Sequence, residues 1–262
     1  MSKCKPNSKN SATPSIITVI KSPSVFLMIQ LIIYDLDGTL IDSRRDIADA
    51  VNWTLKELGL GELPSDKVSS FVGSGVTNLM RQSLADSDLI SPHPPLSPRG
   101  GEGLLGEGGV SDSTLKRAIK LFRRRYSEHL LDQTKLYPSV RKVLEFFKDR
   151  KQAVVTNKPE NFSLQILEGL GIRPYFFRVF GGDTGFSKKP APEGLLEILR
   201  AARVGPEASV LVGDSAVDIE TGRNAGVQTF AVTYGFGKRE EIEKAGPDRI
   251  LTDLEELISC LR

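Results

Sequence analysis

Asp35 and Asp37 stand two residues apart at the end of an apolar run, in IIYDLDGTLIDS (32–43). Two carboxylates at the exit of a buried strand repel each other unless a cation or a reacting group uses their charge. Other polar residues in the chain follow the same arrangement. Thr156 and Asn157 close the run AVVT (153–156) and continue it, and Asp214 and Asp218 follow SVLV (209–212) within GDSAVD (213–218). Lys189, in KKPAPEG (188–194), comes just before a helical pattern. The set amounts to four acids, one hydroxyl and one ammonium.

That inventory suits Mg²⁺ and a phosphate. Mg²⁺ is a hard cation that takes oxygen ligands, commonly one or two carboxylates plus substrate phosphate. Phosphoryl transfer needs charge neutralisation on the phosphoryl oxygens and in-line positioning. A divalent cation, Lys189, Thr156 and the loop N–H groups after Asp35, at Gly38 and Thr39, can supply both. Two acids so close can also divide the labour. One carboxylate attacks phosphorus and becomes an aspartyl phosphate. The other gives a proton to the leaving alkoxide and then takes one from water. Gly38 lets the chain turn sharply just beyond them.

The elements that must position these groups alternate between strand and helix. IQLIIY (29–34), AVVT, SVLV and TFAVT (229–233) read as core strands; RVF (178–180) is weaker, and RIL (249–251) closes the sheet. Strands alternating with helices imply a parallel sheet, and continuous apolar runs imply cover on both faces. In an open parallel sheet, ligands bind at the carboxyl ends of the strands, so the acids converge on one edge. PSVRKVLEFFKDR (138–150) and TDLEELISCLR (252–262) read as helices, the second opening with Thr252 and Glu255 at capping-box spacing.

Between about 45 and 135 no apolar strand run occurs. DIADAVNWTLKELGL (46–60), GVTNLMRQSL (75–84) and STLKRAIKLFRRRYSEHLL (113–131) read instead as amphipathic helices. Inside this stretch SPHPPLSPRGGEGLLGEGG (91–109) is too rich in Pro and Gly for a helix or a core strand and is expected to be a flexible loop. Its glycines do not link a strand to a helix as a phosphate cradle requires. Residues 1–27 are expected to be a disordered extension, with Met28 a candidate natural start. The expected division is therefore that extension, a core of 28–44 and 136–262, and a helical unit of 45–135 carrying the 91–109 insert.

Composition narrows the classes of function. The 262 residues are 39% hydrophobic and 26% charged, with a net charge of +2, which gives no case for a dedicated nucleic-acid binder. FRRRY (122–126) reads as a solvated helix face. The apolar run VFLMIQLIIY (25–34) is too short to span a bilayer. Cys4 and Cys260 lack metal-ligand spacing and read as free thiols of a cytoplasmic protein. His93 and His129 lie in Pro-rich and polar helical surroundings, unsuited to a zinc site or a Ser-His-Asp triad. No G-x-G-x-x-G follows the first strand, which argues against dinucleotide binding.

DLDGTLID (35–42), VVTNK (154–158), KKPAPEGL (188–195) and VGDSAVDIETGRNAG (212–226) resemble, in order, the four motifs of the haloacid dehalogenase superfamily. The resemblance spans about 29–262 and implies an α/β fold: a Rossmann-like parallel-sheet core with an inserted α-helical cap domain after the first motif. By position, Asp35 resembles the nucleophile and a Mg²⁺ ligand. Asp37 resembles the general acid/base, with its backbone carbonyl also on Mg²⁺. Thr156 and Asn157 match the phosphate-binding second motif, and Lys189 the third-motif lysine. Asp214 matches the metal-binding acid, and Asp218 supports the metal site or the lysine. Asp42 and Lys188 read as neighbours only, and Ser215 as either a helix N-terminal residue or a supporting one. The acid at position 37 implies phosphotransfer rather than dehalogenation.

The segments 71–84, 136–172 and 180–195 resemble the phosphoglycolate phosphatase-like subgroup. In FVGSGVTNLMRQSL (71–84), Gly73 and Gly75 could present N–H groups to a substrate carboxylate, and Arg81 could help neutralise it. The resemblance implies a Mg²⁺-dependent phosphatase of a small phosphorylated metabolite, 2-phosphoglycolate first. It implies a monomer or homodimer without nucleic-acid or membrane partners. The alternatives are a pyrophosphatase, a nucleotide or sugar phosphatase, a β-phosphoglucomutase-type mutase, and a non-enzymatic binding protein on the same fold.

Overall fold

Four consecutive residues without a charge, LIIY, form strand β1 (Leu31–Tyr34), and all four are fully buried. The computed structural model describes residues 28–90, 105–106 and 109–262; the expectations for 1–27 and for most of 91–109, with Cys4 and His93, lie outside the described residues. After β1 come β2 (Ile41–Asp42), α1 (Arg44–Glu57), α2 (Ser65–Ser69) and α3 (Val76–Ile90). β3 (Leu105–Gly106), β4 (Gly109–Val110), α4 (Asp112–Glu128) and β5 (Lys135–Leu136) follow. Then helix and strand alternate: α5 (Val140–Phe146), β6 (Lys151–Val155), α6 (Glu160–Gly169), β7 (Arg178–Phe180), α7 (Glu193–Ala202) and β8 (Ser209–Gly213). The chain closes with α8 (Ala216–Ala225), β9 (Gln228–Val232), α9 (Arg239–Ala245), β10 (Arg249–Leu251) and α10 (Glu256–Cys260).

The main sheet has the order β10-β9-β8-β1-β6-β7, and every pairing in it is parallel. The chain runs outward from β1 in one direction through β6 and β7, and in the other through β8, β9 and β10. Strand order therefore reverses at β1, and the crevice beyond its carboxyl end is where such sheets bind ligands. Side chains alternate between the faces. Ile32 and Tyr34 join Val154, Val210 and Val212 in one core, which also takes Val143 and Leu144 of α5 and Ile166 of α6. Leu31 and Ile33 join Ala153, Val155 and Leu211 in a second core closed by Leu195, Ile198 and Ala202 of α7. Each fully buried Leu or Ile here contributes about 1.5–3 kcal/mol through removal of apolar surface from water.

The inserted cap is helical. Ile47, Val51 and Leu55 of α1 pack with Met80 and Leu84 of α3 and with Leu115 and Phe122 of α4, in a cluster continuous with the first core. The two crossings between sheet and cap are tied together. β2 pairs antiparallel with β5, Ile41 opposite Leu136 and Asp42 opposite Lys135. Beside this pair the buried Asp46 carboxylate accepts from the N–H groups of Gln133 (2.9 Å) and Thr134 (2.8 Å) and from the Thr134 hydroxyl (2.7 Å). One side chain from the first turn of α1 thereby fixes the chain where it leaves α4.

Several boundaries differ from the sequence expectation. β1 starts at Leu31 rather than at residue 29, because Ile29 is buried without joining the ladder, which begins with Gln30 accepting from Lys151 N–H. β6 starts at Lys151 rather than residue 153. Its Gln152 is polar yet buried, because it accepts from the Tyr34 hydroxyl (3.2 Å) and donates to Leu144 O (3.0 Å). α5 ends at Phe146, short of residue 150, and α3 continues past 84 to Ile90. The Thr252–Glu255 capping pair does not form. Glu256 accepts from Thr252 N–H (2.9 Å) and hydroxyl (2.5 Å) and from Asp253 N–H (3.1 Å), and α10 begins only at Glu256. Strand pairing also occurs between 45 and 135, where none was expected: Leu105–Gly106 pairs with Gly109–Val110, a ladder too short to show as an apolar run.

Asp46→Ala removes a buried carboxylate and strands the two N–H groups it holds. Such a change costs about 2–3 kcal/mol, so urea denaturation should show a lower midpoint with an unchanged slope; a shift within error of zero would show that the crossings are held without Asp46.

Candidate active site

Asp35 sits one residue beyond β1, and its N–H donates to Val212 O of β8 (2.9 Å), which carries the ladder on past the strand. Its carboxylate accepts from Lys189 Nζ at 2.7 Å, and the same ammonium donates to Asp218 at 2.6 Å. Asp218 is in the first turn of α8, where its other oxygen accepts from the N–H (3.1 Å) and hydroxyl (2.6 Å) of Ser215. Ser215 is thus the N-cap of α8, in a capping box with Asp218. This settles Ser215 as a helix N-terminal residue that also fixes Asp218.

Asp214 is the first residue beyond β8. It accepts from the Thr39 hydroxyl (3.3 Å) and from the N–H groups of Phe236 (2.6 Å) and Gly237 (3.2 Å) in the loop after β9. Small residues make room for it. A Cβ on Gly38, whose φ is +88°, would overlap the Asp214 carboxylate, and one on Gly235 or Gly237 would strike Asp214 as well. Oxygens of Asp35, Asp214 and Asp218 lie within 4.8 Å of one another, the one buried acidic cluster of this kind among the described residues. Burial and mutual repulsion raise the acids: Asp35 is pushed up to about 6 despite the Lys189 ammonium, and Asp214 to about 8. Burial pulls the Lys189 ammonium down, but Asp218 and Asp35 outweigh it and keep it charged. Three buried carboxylates around one ammonium leave excess negative charge, and an all-oxygen donor set fits a hard divalent cation.

Asp37 has separate partners. Lys158 Nζ donates to both its oxygens, at 3.0 and 3.1 Å, and the Ser43 hydroxyl donates at 2.5 Å. Ser43 occupies the N-cap position of α1 but makes no side-chain cap bond; its hydroxyl is turned to donate to Asp37 instead. Lys158 also donates to the Tyr126 hydroxyl of α4 at 2.6 Å. Burial lowers this ammonium, and Asp37 with Tyr126 more than compensates, so its net shift is upward.

The second-motif residues organise the neighbourhood. Thr156 lines the cavity, and its hydroxyl accepts from Lys158 N–H (3.3 Å). The Asn157 amide accepts from Lys189 N–H (2.8 Å) and donates to Lys189 O (3.0 Å) and Gly73 O (2.8 Å). It therefore fixes the backbone that carries the lysine and joins it to the cap loop.

Asp35, Asp37, Thr156, Lys158, Lys189 and Asp214 surround a cavity of about 270 Å³ that the cap covers with residues 69, 70 and 72–76, Phe122 and Tyr126. Gly73 and Gly75 line it with positive φ, as expected of a tight loop. Gly38 and Thr39 are placed behind Asp214 rather than in the cavity wall. Arg81 is not brought to the site: it is exposed on α3 and does not line the cavity. Asp42 pairs with Arg44 at 2.9 Å, and His129 with Asp132 at 2.6 Å, both away from the cluster. Lys188 reaches Gly75, where a Cβ would lie 2.5 Å from its Nζ.

Lys158, Tyr126, Ser43 and the Phe236–Gly237 N–H groups escaped the sequence reading. Lys158 closes VVTNK and so was adjacent to a recognised motif. Tyr126 was hidden in FRRRY, whose arginines turn outward, Arg124 stacking over Trp53 with its guanidinium 5.4 Å from the ring centre. The G-F-G spacing after β9 was the signal for the loop that holds Asp214.

Residues 32–232 match the family model described as haloacid dehalogenase-like hydrolase. A phosphoglycolate phosphatase of Pseudomonas putida is 36% identical over 232 residues, covering 87% of this chain and 78% of its own. One from Aquifex aeolicus is 35% identical over 234 residues, covering 88% and 96%. A crystal structure of a predicted phosphoglycolate phosphatase from Haemophilus somnus superposes with a TM-score of 0.79 at 28% identity, covering 89% of this chain and 98% of that one. With the family match spanning 32–232 and relatives of this identity and coverage, the chain belongs to the haloacid dehalogenase-like hydrolase family.

Proposed function

We propose that the substrate of this phosphomonoester hydrolase is 2-phosphoglycolate and that its cofactor is Mg²⁺. The observation that carries the reading is the division between the two aspartates: Asp35 beside Asp214, Asp218 and Lys189, and Asp37 held apart by Lys158 and Ser43. Asp35 and Asp214 would hold the cation, with the Asp37 carbonyl, while Asp218, both of whose oxygens are already engaged, holds Lys189. When bound, Mg²⁺ supplies neutralisation of the phosphoryl oxygens.

The remaining steps belong to the chain. An Asp35 oxygen attacks phosphorus, the bond from phosphorus to the ester oxygen breaks, and Asp37 protonates the leaving alkoxide. Water then attacks phosphorus of the aspartyl phosphate, Asp37 takes its proton, and the P–O bond to Asp35 breaks to release inorganic phosphate. Lys189 stands against Asp35 and balances charge there, and the Thr156 side chain faces the phosphate. The small cavity under Gly73 and Gly75 suits a short substrate, and the names of the relatives indicate which one. No helix among the described residues is long and apolar enough to cross a membrane.

Asp35→Asn should reduce Mg²⁺-dependent release of phosphate from 2-phosphoglycolate and p-nitrophenyl phosphate to background. Acid-quench trapping of labelled phosphate on the protein should succeed for the wild type and fail for this variant; an active Asp35→Asn enzyme would falsify the nucleophile assignment. Asp37→Asn should lose about 10²–10⁴-fold in turnover. A screen that placed pyrophosphate, nucleotides or sugar phosphates well above 2-phosphoglycolate would overturn the substrate.

A pH effect follows from the raised acids. Raised carboxyl pKa values mean that the folded state holds protons the unfolded chain has already released. Without a divalent cation, stability should therefore fall as pH rises from about 4 to 8. The cation must displace those protons, so Mg²⁺ should raise the melting temperature more at pH 8 than at pH 6. An equal shift at both pH values, or none, would count against cation binding at these carboxylates.

A further inference from the structure

We propose that Tyr126 and Lys158 are positioning residues through which the seated cap sets Asp37 for proton transfer to the leaving group. The inference rests on Asp37 being the general acid/base of the proposed reaction.

Three elements meet at this point. Asp37 comes from the exit of β1, Lys158 from the loop after β6, and Tyr126 from α4 of the cap. An ammonium has three hydrogen-bond donors. Lys158 spends two on the Asp37 oxygens, at 3.0 and 3.1 Å, and one on the Tyr126 hydroxyl, at 2.6 Å. Its side chain is 5% exposed, so water has little access to replace a lost partner. The Nζ lies 4.6 Å from the centre of the Tyr126 ring, the distance its bond to the hydroxyl sets. On its other side Asp37 is met by the Ser43 hydroxyl.

Tyr126 is itself held firmly. It is fully buried, stacked on Phe122 of α4 at 5.3 Å and meeting Phe162 of α6 edge-on at 5.5 Å. Phenylalanine would serve that packing equally well. The hydroxyl is the part that packing does not require, and the partner it has is Lys158. When the cap is seated, the ammonium is therefore fixed from above, and the carboxylate it grips is fixed with it. When the cap lifts, Tyr126 leaves, the ammonium regains freedom, and Asp37 loses its set position. Proton transfer is thus tied to an enclosed cavity, where geometry decides its efficiency.

A role in aiming Asp37 has a signature that a merely structural role lacks. An alkoxide leaving group needs the proton from Asp37, whereas p-nitrophenolate departs without one. Wild type, Tyr126→Phe, Lys158→Met and the double variant should be assayed with Mg²⁺ on two alkyl esters, 2-phosphoglycolate and glycerol 3-phosphate, and on p-nitrophenyl phosphate. Thermal melts confirm that each variant is folded.

Tyr126→Phe should lower kcat/KM toward the alkyl esters about tenfold, with a loss toward p-nitrophenyl phosphate at least about fivefold smaller. If Tyr126 acts through Lys158, the double variant should be no worse than Lys158→Met by more than about twofold. Equal losses on both kinds of ester, no loss on the alkyl esters, or fully additive losses would overturn the proposal. Should Lys158→Met fail to fold, the Tyr126→Phe comparison decides alone. Failure of the wild type to hydrolyse any of the three would instead count against the phosphatase reading, so the two failures are told apart.

Discussion

Buried negative charge is the constraint around which this structure is arranged. Asp35, Asp214 and Asp218 are all less than one-tenth exposed, and their oxygens crowd within 4.8 Å. One ammonium, Lys189, cannot neutralise three carboxylates, and in a weakly polarisable interior the surplus is expensive. The protein offsets it with backbone dipoles and close packing. N–H groups of Phe236 and Gly237 point at Asp214, Ser215 caps Asp218, and glycines at 38, 235 and 237 let main chain approach where a Cβ would not fit. The remaining surplus keeps protons on Asp35 and Asp214 above the usual carboxylate range, and a hard cation that binds there must displace them.

The parallel sheet makes this concentration of charge tolerable. β1 is buried on both faces and paired on both edges, so its carboxyl end is a rigid platform. Strand order reverses there, which opens a crevice instead of a continuous wall. Asp214 and Asp218 come from the neighbour on one side, and Thr156, Asn157 and Lys158 from the neighbour on the other. The apolar energy of two cores holds in place a polar cluster that would not assemble by itself.

Asp35 and Asp37 show how position separates two chemically identical groups. Leu36 between them is fully buried and anchors the loop. Asp35 turns toward the acidic cluster and Asp37 toward Lys158, Ser43 and the cap. The cap reaches the second acid through Tyr126 and reaches the lysine-bearing loop through Asn157 and Gly73, so both halves of the site are touched by the inserted helices. The paired crossings at β2 and β5, with Asp46 beside them, are where those helices are tied to the sheet.

Much of this was legible along the chain because it is local. A strand buried on both faces must be an unbroken apolar run, and the residues beyond its end must sit at the sheet edge; this made β1, β8 and the acids after them plain, and Thr156 and Lys189 with them. Helical periodicity likewise marked the insert. What stayed hidden depends on partners far away in sequence. Gln152 breaks an apolar run and is still a strand residue, because Tyr34 and Leu144 satisfy it. Arg81 has the charge a substrate would want but projects to solvent from α3, while Tyr126, set among arginines, projects inward. The sequence by itself determined the kind of chemistry, since residue types and their order after each strand specify an oxygen-rich site for phosphate. Only the tertiary structure decided which cations face which acids. Lys158 and Asp37 are 121 residues apart, and Lys189 and Asp35 154. Pairing across such distances is set by how helices pack on a sheet, not by spacing along the chain.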